Sequence, residues 1–346
     1  MGGGEMIVNN LKEVSIEGKK ISSRILHWGE GGKIFLNITA PPYNTSLIFI
    51  EILMKFIDEG KNVLYITGEE EKNIEIIGYL RKYTKFRNYT YIRNNTSISN
   101  SCLNFCTYSR AITIPQKYDL VIYDDIRSYP NYSKYEILDI VNKCCDEKGK
   151  IIAYSIELIF NNAEEIVVPM RNNRMPITEP RIITTRIDVN KDVPFVVYEY
   201  IKWSISIGKR VIIAVPDDTK VFNVTSYIYK YFKSTTHNIF YYSKNEKNVK
   251  VIRECHKYKD VIVITNDLDV MCDDDYKTNI LVFFAEDNQY NYKKLAYFCG
   301  RTGKGDIVNR GEVIYLVKEE NKEIDRAKDI TRTFNKMAWE KGFFSL

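Results

Sequence analysis

The sequence contains no apolar run long enough to cross a membrane. Its longest apolar stretch, residues 47–57, is broken by Glu51 and Lys55, whereas a spanning helix needs ~20 apolar residues. The opening residues are glycine-rich and lack the basic-then-apolar pattern of a secretory leader. These absences predict a soluble, cytoplasmic chain with no membrane insertion, peripheral to a membrane only through partners. Charge of one sign is missing as well: 50 basic residues face 45 acidic ones, for a net charge of +5. That balance permits contact with a phosphate backbone without requiring it. Cysteine is sparse and odd in number, seven copies at 102, 106, 144, 145, 255, 272 and 299, which argues against a disulfide scaffold and for reduced thiols. Cys102, Cys106 and the adjacent Cys144 and Cys145 come nearest to a metal spacing. Zinc knuckles are tight and bordered by turns; here Cys106 falls in a strand-like run and the pair in a helical stretch, so no zinc is expected.

What is present is a chain of 346 residues, enough for about two domains. Its 45% hydrophobic and 27% charged residues are the balance of a globular protein with a real core. Tyr is in excess, at 26 copies beside heavy use of Ile, Lys and Asn, and we attribute this to genome composition rather than to base stacking.

Short apolar segments of strand length alternate with amphipathic helical ones. In the first half, strands are expected at 33–39, 62–67, 103–107, 118–123 and 150–155, with helices at 45–59, 71–83 and 133–147. After a proline-punctuated segment the pattern restarts. Helices at 194–207, 219–232, 248–258, 292–299 and 322–338 then alternate with strands at 210–215, 238–242, 260–265, 279–284 and 312–317. Strands without polar alternation, separated by helices, indicate parallel sheets covered on both faces. The fold class is therefore α/β, two tandem RecA-like domains with parallel sheets. The expected division is an N-terminal extension over 1–32, a first domain over 33–165, a linker over 166–190 and a second domain over 191–346. Two Rossmann-like lobes on a hinge would give the same pattern, which fixes class and not function.

Three groups could carry chemistry. Asp124 and Asp125 close an apolar strand, where paired carboxylates hold Mg²⁺ and polarise a water in nucleotide motors; an acidic turn is the plain alternative. Residues 300–305 (GRTGKG) form a glycine loop charged by Arg301 and Lys304, of the kind whose backbone approaches phosphate. A P-loop follows a strand, whereas this one follows a helical segment, which suits a clamp reaching across a cleft or a solvated turn. Arg171 and Arg174 lie in the proline-framed stretch 169–180, either touching a nucleic-acid backbone or solvating a linker.

In order and spacing these residues, from about 34 to 338, resemble the helicase core of the ComFA family. Its members are late-competence ATPases that help draw single-stranded DNA into naturally transformable bacteria. Residues 119–130 (DLVIYDDIRSYP) look like the family's DEVDAFP-type motif II, and 151–157 (IIAYSIE) stand where the SAT motif III belongs. Residues 168–181 are similar to its PARYHGxPLPVP stretch, and 261–267 (VIVITND) correspond to motif V. Residues 294–305 (KLAYFCGRTGKG) are similar to the QIAGRVGR form of motif VI, with 311–315 (GEVIY) following as the next strand. The resemblance implies a superfamily 2 helicase-type protein that takes ATP and Mg²⁺, with Asp124 on the metal. It implies Asp125, Arg301 and Lys304 beside Asp124 as catalytic groups, and Thr45 and Ser46 at the nucleotide. It further implies Thr107, Arg171, Arg174 and Thr265 on single-stranded DNA, and partners in the competence machinery, an active ComFA-type protein among them.

The departures from the family are specific. After the strand ending at Thr39 the phosphate loop should read like GAGKT; the chain reads APPYNTS over 40–46, with neither glycine nor lysine. Pro has no N–H to offer, so only the hydroxyls of Thr45 and Ser46 remain for Mg²⁺. One ammonium at ~4 Å from a phosphate, at an effective dielectric of ~20, is worth about 4 kcal/mol, or roughly a thousandfold in rate. Asp125 replaces Glu, motif III has lost its Ala-Thr, and Tyr297 and Lys304 replace Gln and the finger Arg of motif VI. The substituted Lys lacks the bidentate fork. The family's four-cysteine zinc module has no counterpart, the first cysteine being Cys102. The expected protein is a ComFA-like scaffold that binds single-stranded DNA, with ATPase activity weak or lost. An active divergent DNA-dependent ATPase using Thr45 or Ser46, Asp124, Asp125, Arg301 and Lys304 is one alternative. A structural interaction module with an empty cleft is the other.

Overall fold

The computed structural model describes residues 14–93, 101–171, 174–246, 248–255, 257–267, 277–302 and 311–343. Contacts divide the chain into two compact units, one of Met1–Arg174 with Lys341–Leu346 and one of Met175–Glu340.

In chain order the first unit begins with α1 (Ile16–Glu30) and β1 (Phe35–Thr39), then a 3-10 turn (Leu47–Phe49) that runs into α2 (Ile50–Asp58). β2 (Val63–Thr67), α3 (Glu75–Tyr83), β3 (Tyr89–Tyr91), β4 (Leu103–Cys106) and α4 (Tyr108–Ala111) follow. The unit continues with β5 (Tyr118–Asp124), α5 (Lys134–Cys144), β6 (Cys145–Ser155) and β7 (Glu164–Val167). Its seven strands make one sheet in the order β3-β4-β2-β5-β6-β1-β7, every pair parallel. β2 is buried along its whole length and β5 at all but one position, as a sheet covered on both faces requires. Ser133 starts α5 with a capping box, its hydroxyl taking the Glu136 N–H while the Glu136 carboxylate takes the Ser133 N–H.

The segment expected only as an extension contains α1. Ile21, Ile25 and Trp28 fall on one stripe of that helix and are buried, the spacing that turns an amphipathic helix towards a core. The Ser22 hydroxyl donates to the carbonyl of Ile48 at 3.0 Å. Lys150 reaches from β6 to the carbonyls of Trp28, Gly31 and Lys33 at 3.2, 2.6 and 2.9 Å, which closes the C-terminal end of α1 with a cation.

The second unit contains β8 (Arg181–Thr184), α6 (Phe195–Ser206), β9 (Arg210–Ala214), α7 (Asp218–Phe232) and β10 (Ile239–Tyr242). These are followed by α8 (Val249–Cys255), β11 (Ile262–Thr265), β12 (Thr278–Phe283), α9 (Tyr292–Arg301), β13 (Val313–Val317) and α10 (Lys322–Glu340). Its six strands are again all parallel, in the order β10-β11-β9-β12-β13-β8. The stretch assigned to a linker contains strand: the last two residues of β7, which pairs with β1, and the whole of β8, which pairs with β13. Each is a four-residue edge strand, EEIV and RIIT, too short and too charged to announce itself by pattern. Among the described residues, no helix is long and apolar enough to cross a membrane.

Candidate functional site

Strand order builds the site of the first unit. β6 lies between β1 and β5, so the loop leaving β1 and the acids ending β5 flank the carboxyl end of one strand. That end of an open parallel sheet is where α/β proteins take ligands.

The loop over 40–46 is buried throughout, and its donors are engaged inside the protein. The Ala40 N–H donates to Ser155 O at 3.0 Å and the Tyr43 N–H to Ile126 O at 2.8 Å. The Thr45 N–H turns back to the Asn44 side-chain oxygen at 2.9 Å, while Pro41 and Pro42 have no N–H at all. Tyr43 sits at φ 59°, a left-handed conformation that costs a non-glycine residue roughly 1–2 kcal/mol. Two further bonds hold the loop: the Asn44 amide donates to Met170 O at 3.0 Å, and the Tyr154 hydroxyl to Thr45 O at 3.0 Å.

The remaining donors converge on one acid, Glu75, the first residue of α3. Its Oε2 accepts from the Thr45 hydroxyl at 2.9 Å, the Ser46 N–H at 2.9 Å and the Ser46 hydroxyl at 3.3 Å. Arg127 completes the set, Nη2 donating to the same Glu75 oxygen at 3.0 Å and Nε to Asn44 O at 3.1 Å. Burial works against the charged Arg127, but Glu75 and then Glu69 and Asp124 outweigh it and raise its pKa. Sequence reasoning missed both residues. Arg127 stands two positions beyond the acidic pair, and no local pattern shows that it turns to the loop; Glu75 looks like an ordinary first-turn helix acid.

Asp124 and Asp125 come to the same edge, each 1% exposed. Asp124 accepts from the Tyr65 hydroxyl through Oδ2 and from the Ile126 N–H through Oδ1 at 2.9 Å. Burial pushes its carboxyl up to about 7, against the lowering effect of Tyr65 and the Ile126 N–H. The Asp125 N–H donates to Tyr154 O at 3.1 Å, and its Oδ2 receives the Tyr123 hydroxyl at 3.5 Å. A Mg²⁺ ion demands octahedral oxygen ligands and keeps several waters. A carboxylate enclosed by a phenol and a backbone N–H, with almost no exposed surface, does not fit that role in this conformation. A triphosphate fares no better, because the N–H groups of Ala40, Tyr43, Thr45 and Ser46 already have acceptors.

The other residues singled out in the sequence are dispersed. Thr107 is half-buried at the start of α4, its hydroxyl 3.3 Å from that of Ser109. Arg171 is 3% exposed, whereas Arg174 is exposed at φ 58°. In the second unit Thr265 ends β11 fully buried, its hydroxyl accepting the Asp267 N–H at 2.9 Å. Arg301 is the last residue of α9, and Lys304 lies outside the described residues. At the carboxyl edge of this second sheet Asp218, in the first turn of α7, takes the Asn266 amide at 2.7 Å and also accepts from Ser243 and Asn245. Among the described residues no group of three or more His, Cys, Asp or Glu is placed to hold a metal.

One further signal is visible in retrospect. From residue 76 to residue 118 the sequence has no acid, yet it contains Arg81, Lys82, Lys85, Arg87, Arg93, Arg110 and Lys117. Arg87 donates to the carbonyls of Leu80 and Arg81, capping α3, and Arg81 and Arg93 both pair with Glu71. Lys82 lies 4.7 Å over the exposed ring of Tyr83, and Lys85 is exposed.

Two all-parallel sheets, each with its ligand edge at the strand carboxyl ends, define an α/β protein of two tandem RecA-like domains. No family model and no curated protein matches the chain. Solved structures similar to it include S. cerevisiae Dbp5 bound to RNA and ADP BeF3, at TM-score 0.57 and 14% identity over 94% of this chain and 92% of that one. A DUF1998 helicase, MrfA, bound to DNA gives TM-score 0.56 and 12% identity over 94% of this chain and 51% of the other. RecG bound to a three-way DNA junction gives TM-score 0.53 and 12% identity over 95% and 47%. The chain thus spans about half the length of the latter two.

Proposed function

We propose that this chain is a helicase-like nucleic-acid-binding protein whose own ATP turnover is weak or lost, acting on single-stranded DNA in an uptake assembly of the ComFA kind. The observation that supports the loss is the closed loop: the N–H groups of Ala40, Tyr43, Thr45 and Ser46 and the hydroxyls of Thr45 and Ser46 are taken by Ser155, Ile126, Asn44 and Glu75, and Asp124 is enclosed. Binding draws support from the nucleic acid present in the similar helicase structures and from the acid-free segment of the first unit. Lys82, Tyr83 and Lys85 offer charge and a stacking ring together, the combination that holds single strands without reading sequence. Thr107, Arg171, Arg174 and Thr265 are the family-derived contacts to the strand, and of these Thr107 and Arg174 reach solvent in the free chain. Arg301 and Lys304 remain the cations of a clamp, and a competence-machinery protein or an active ComFA-type relative is the protein partner.

Two measurements test this. Affinity for a single-stranded oligonucleotide must fall steeply as salt rises, with a log–log slope of about −0.7 per phosphate contact; no binding at low salt leaves only a structural module. Steady-state phosphate release must stay at background with and without DNA. DNA-stimulated release that vanishes in Asp124→Ala would establish the active-ATPase alternative instead.

A further inference from the structure

Four donors on a single carboxylate oxygen is the chemistry of an oxyanion site. Two hydroxyls, one backbone N–H at the start of the 3-10 turn that leads into α2, and a guanidinium all meet Glu75 Oε2 between 2.9 and 3.3 Å. Such a set suits a phosphate oxygen as well as a carboxylate, because charge-assisted bonds and a helix start favour any compact anion. Arg127 brings the positive charge that the loop itself lacks. It comes from the segment after the acidic pair, tied to the loop backbone at Asn44.

We infer that residues Thr45, Ser46 and Arg127 form an anion site for a phosphate-type group, and that Glu75 occupies it as an internal ligand. Glu75 is tethered through α3, so it competes at a high effective concentration with any free anion. Its side chain is 28% exposed, so the position it fills borders solvent. The inference goes beyond nucleic-acid binding: it assigns a small-anion site and its occupant, whichever strand the protein holds.

The test is isothermal titration of the full chain with inorganic pyrophosphate and, separately, with ATP, both without added metal. The wild type should bind neither detectably, while Glu75→Ala and Glu75→Gln should bind pyrophosphate at least roughly tenfold more tightly than wild type. Adding Arg127→Ala to Glu75→Ala should abolish the gain. ATP binding as tightly as pyrophosphate assigns a nucleotide phosphate, and pyrophosphate alone assigns a free inorganic anion; either supports the site. Equal affinities for wild type and both Glu75 variants, with thermal melts showing all of them folded, would overturn it, as would a gain that survives loss of Arg127. Glu75→Gln keeps the side-chain shape and serves as the deciding variant if the alanine form does not fold. Oligonucleotide binding by the wild type is measured in parallel, so a failed anion titration leaves the proposed function standing.

Discussion

Tyr65 and Asp124 join the two adjacent strands β2 and β5, the phenol donating to the carboxylate where neither side chain is more than 1% exposed. Burial raises the Tyr65 pKa too, with the Asp124 charge adding to it. The pair holds the acid that the sequence marks for a metal inside the sheet.

The Asp124 carboxyl titrates at about 7 in the fold, up from 3.8. Between those values the folded chain keeps a proton that the unfolded chain has released. Stability from this group therefore falls as pH rises through that window, by on the order of 1 kcal/mol per pH unit, and levels off above it. Urea unfolding from pH 4.5 to 8 should show Asp124→Asn gaining on wild type as pH rises, with the difference flat above about pH 7. Parallel curves would refute the assignment.

Tyr65→Phe removes the phenolic donor and leaves Asp124 with the Ile126 N–H alone among the bonds described above. The loss should be about 1–3 kcal/mol at pH 8, where the acid is charged, and smaller at pH 5. The same denaturation series reads both.

Lys82→Ala with Lys85→Ala should weaken oligonucleotide binding and flatten the salt dependence by roughly 1.4 log units per log unit, two contacts at ~0.7 each. An unchanged slope would place the strand elsewhere on the protein.

Gly311 shows where glycine is required for space. A Cβ there would stand 1.9 Å from the Thr278 carbonyl oxygen, so Gly311→Ala must part the start of β13 from β12, at about 3 kcal/mol or more. Gly60 has open space but φ +74°, so Gly60→Ala should cost only about 1 kcal/mol. Thermal melts of the two variants should separate them clearly.

Much of the architecture was legible because apolar runs such as those of β2, β5, β9 and β13 are buried along nearly their whole length. α1 was missed because its stripe is diluted by charged neighbours, and β7 and β8 because edge strands need less apolar pattern. At the site, the poor phosphate loop and the paired acids were readable residue by residue. Glu75 was not, since nothing local separates a helix-starting acid from one that closes a loop.

The sequence by itself determined the two α/β halves, since strand and helix follow from local periodicity, and it determined that the loop after β1 has no lysine and two prolines. Only the tertiary structure decided what fills that loop. Glu75 lies 30 residues from Thr45 and Arg127 lies 52 from Glu75, and strand order, not local pattern, brings such distant side chains to one oxygen.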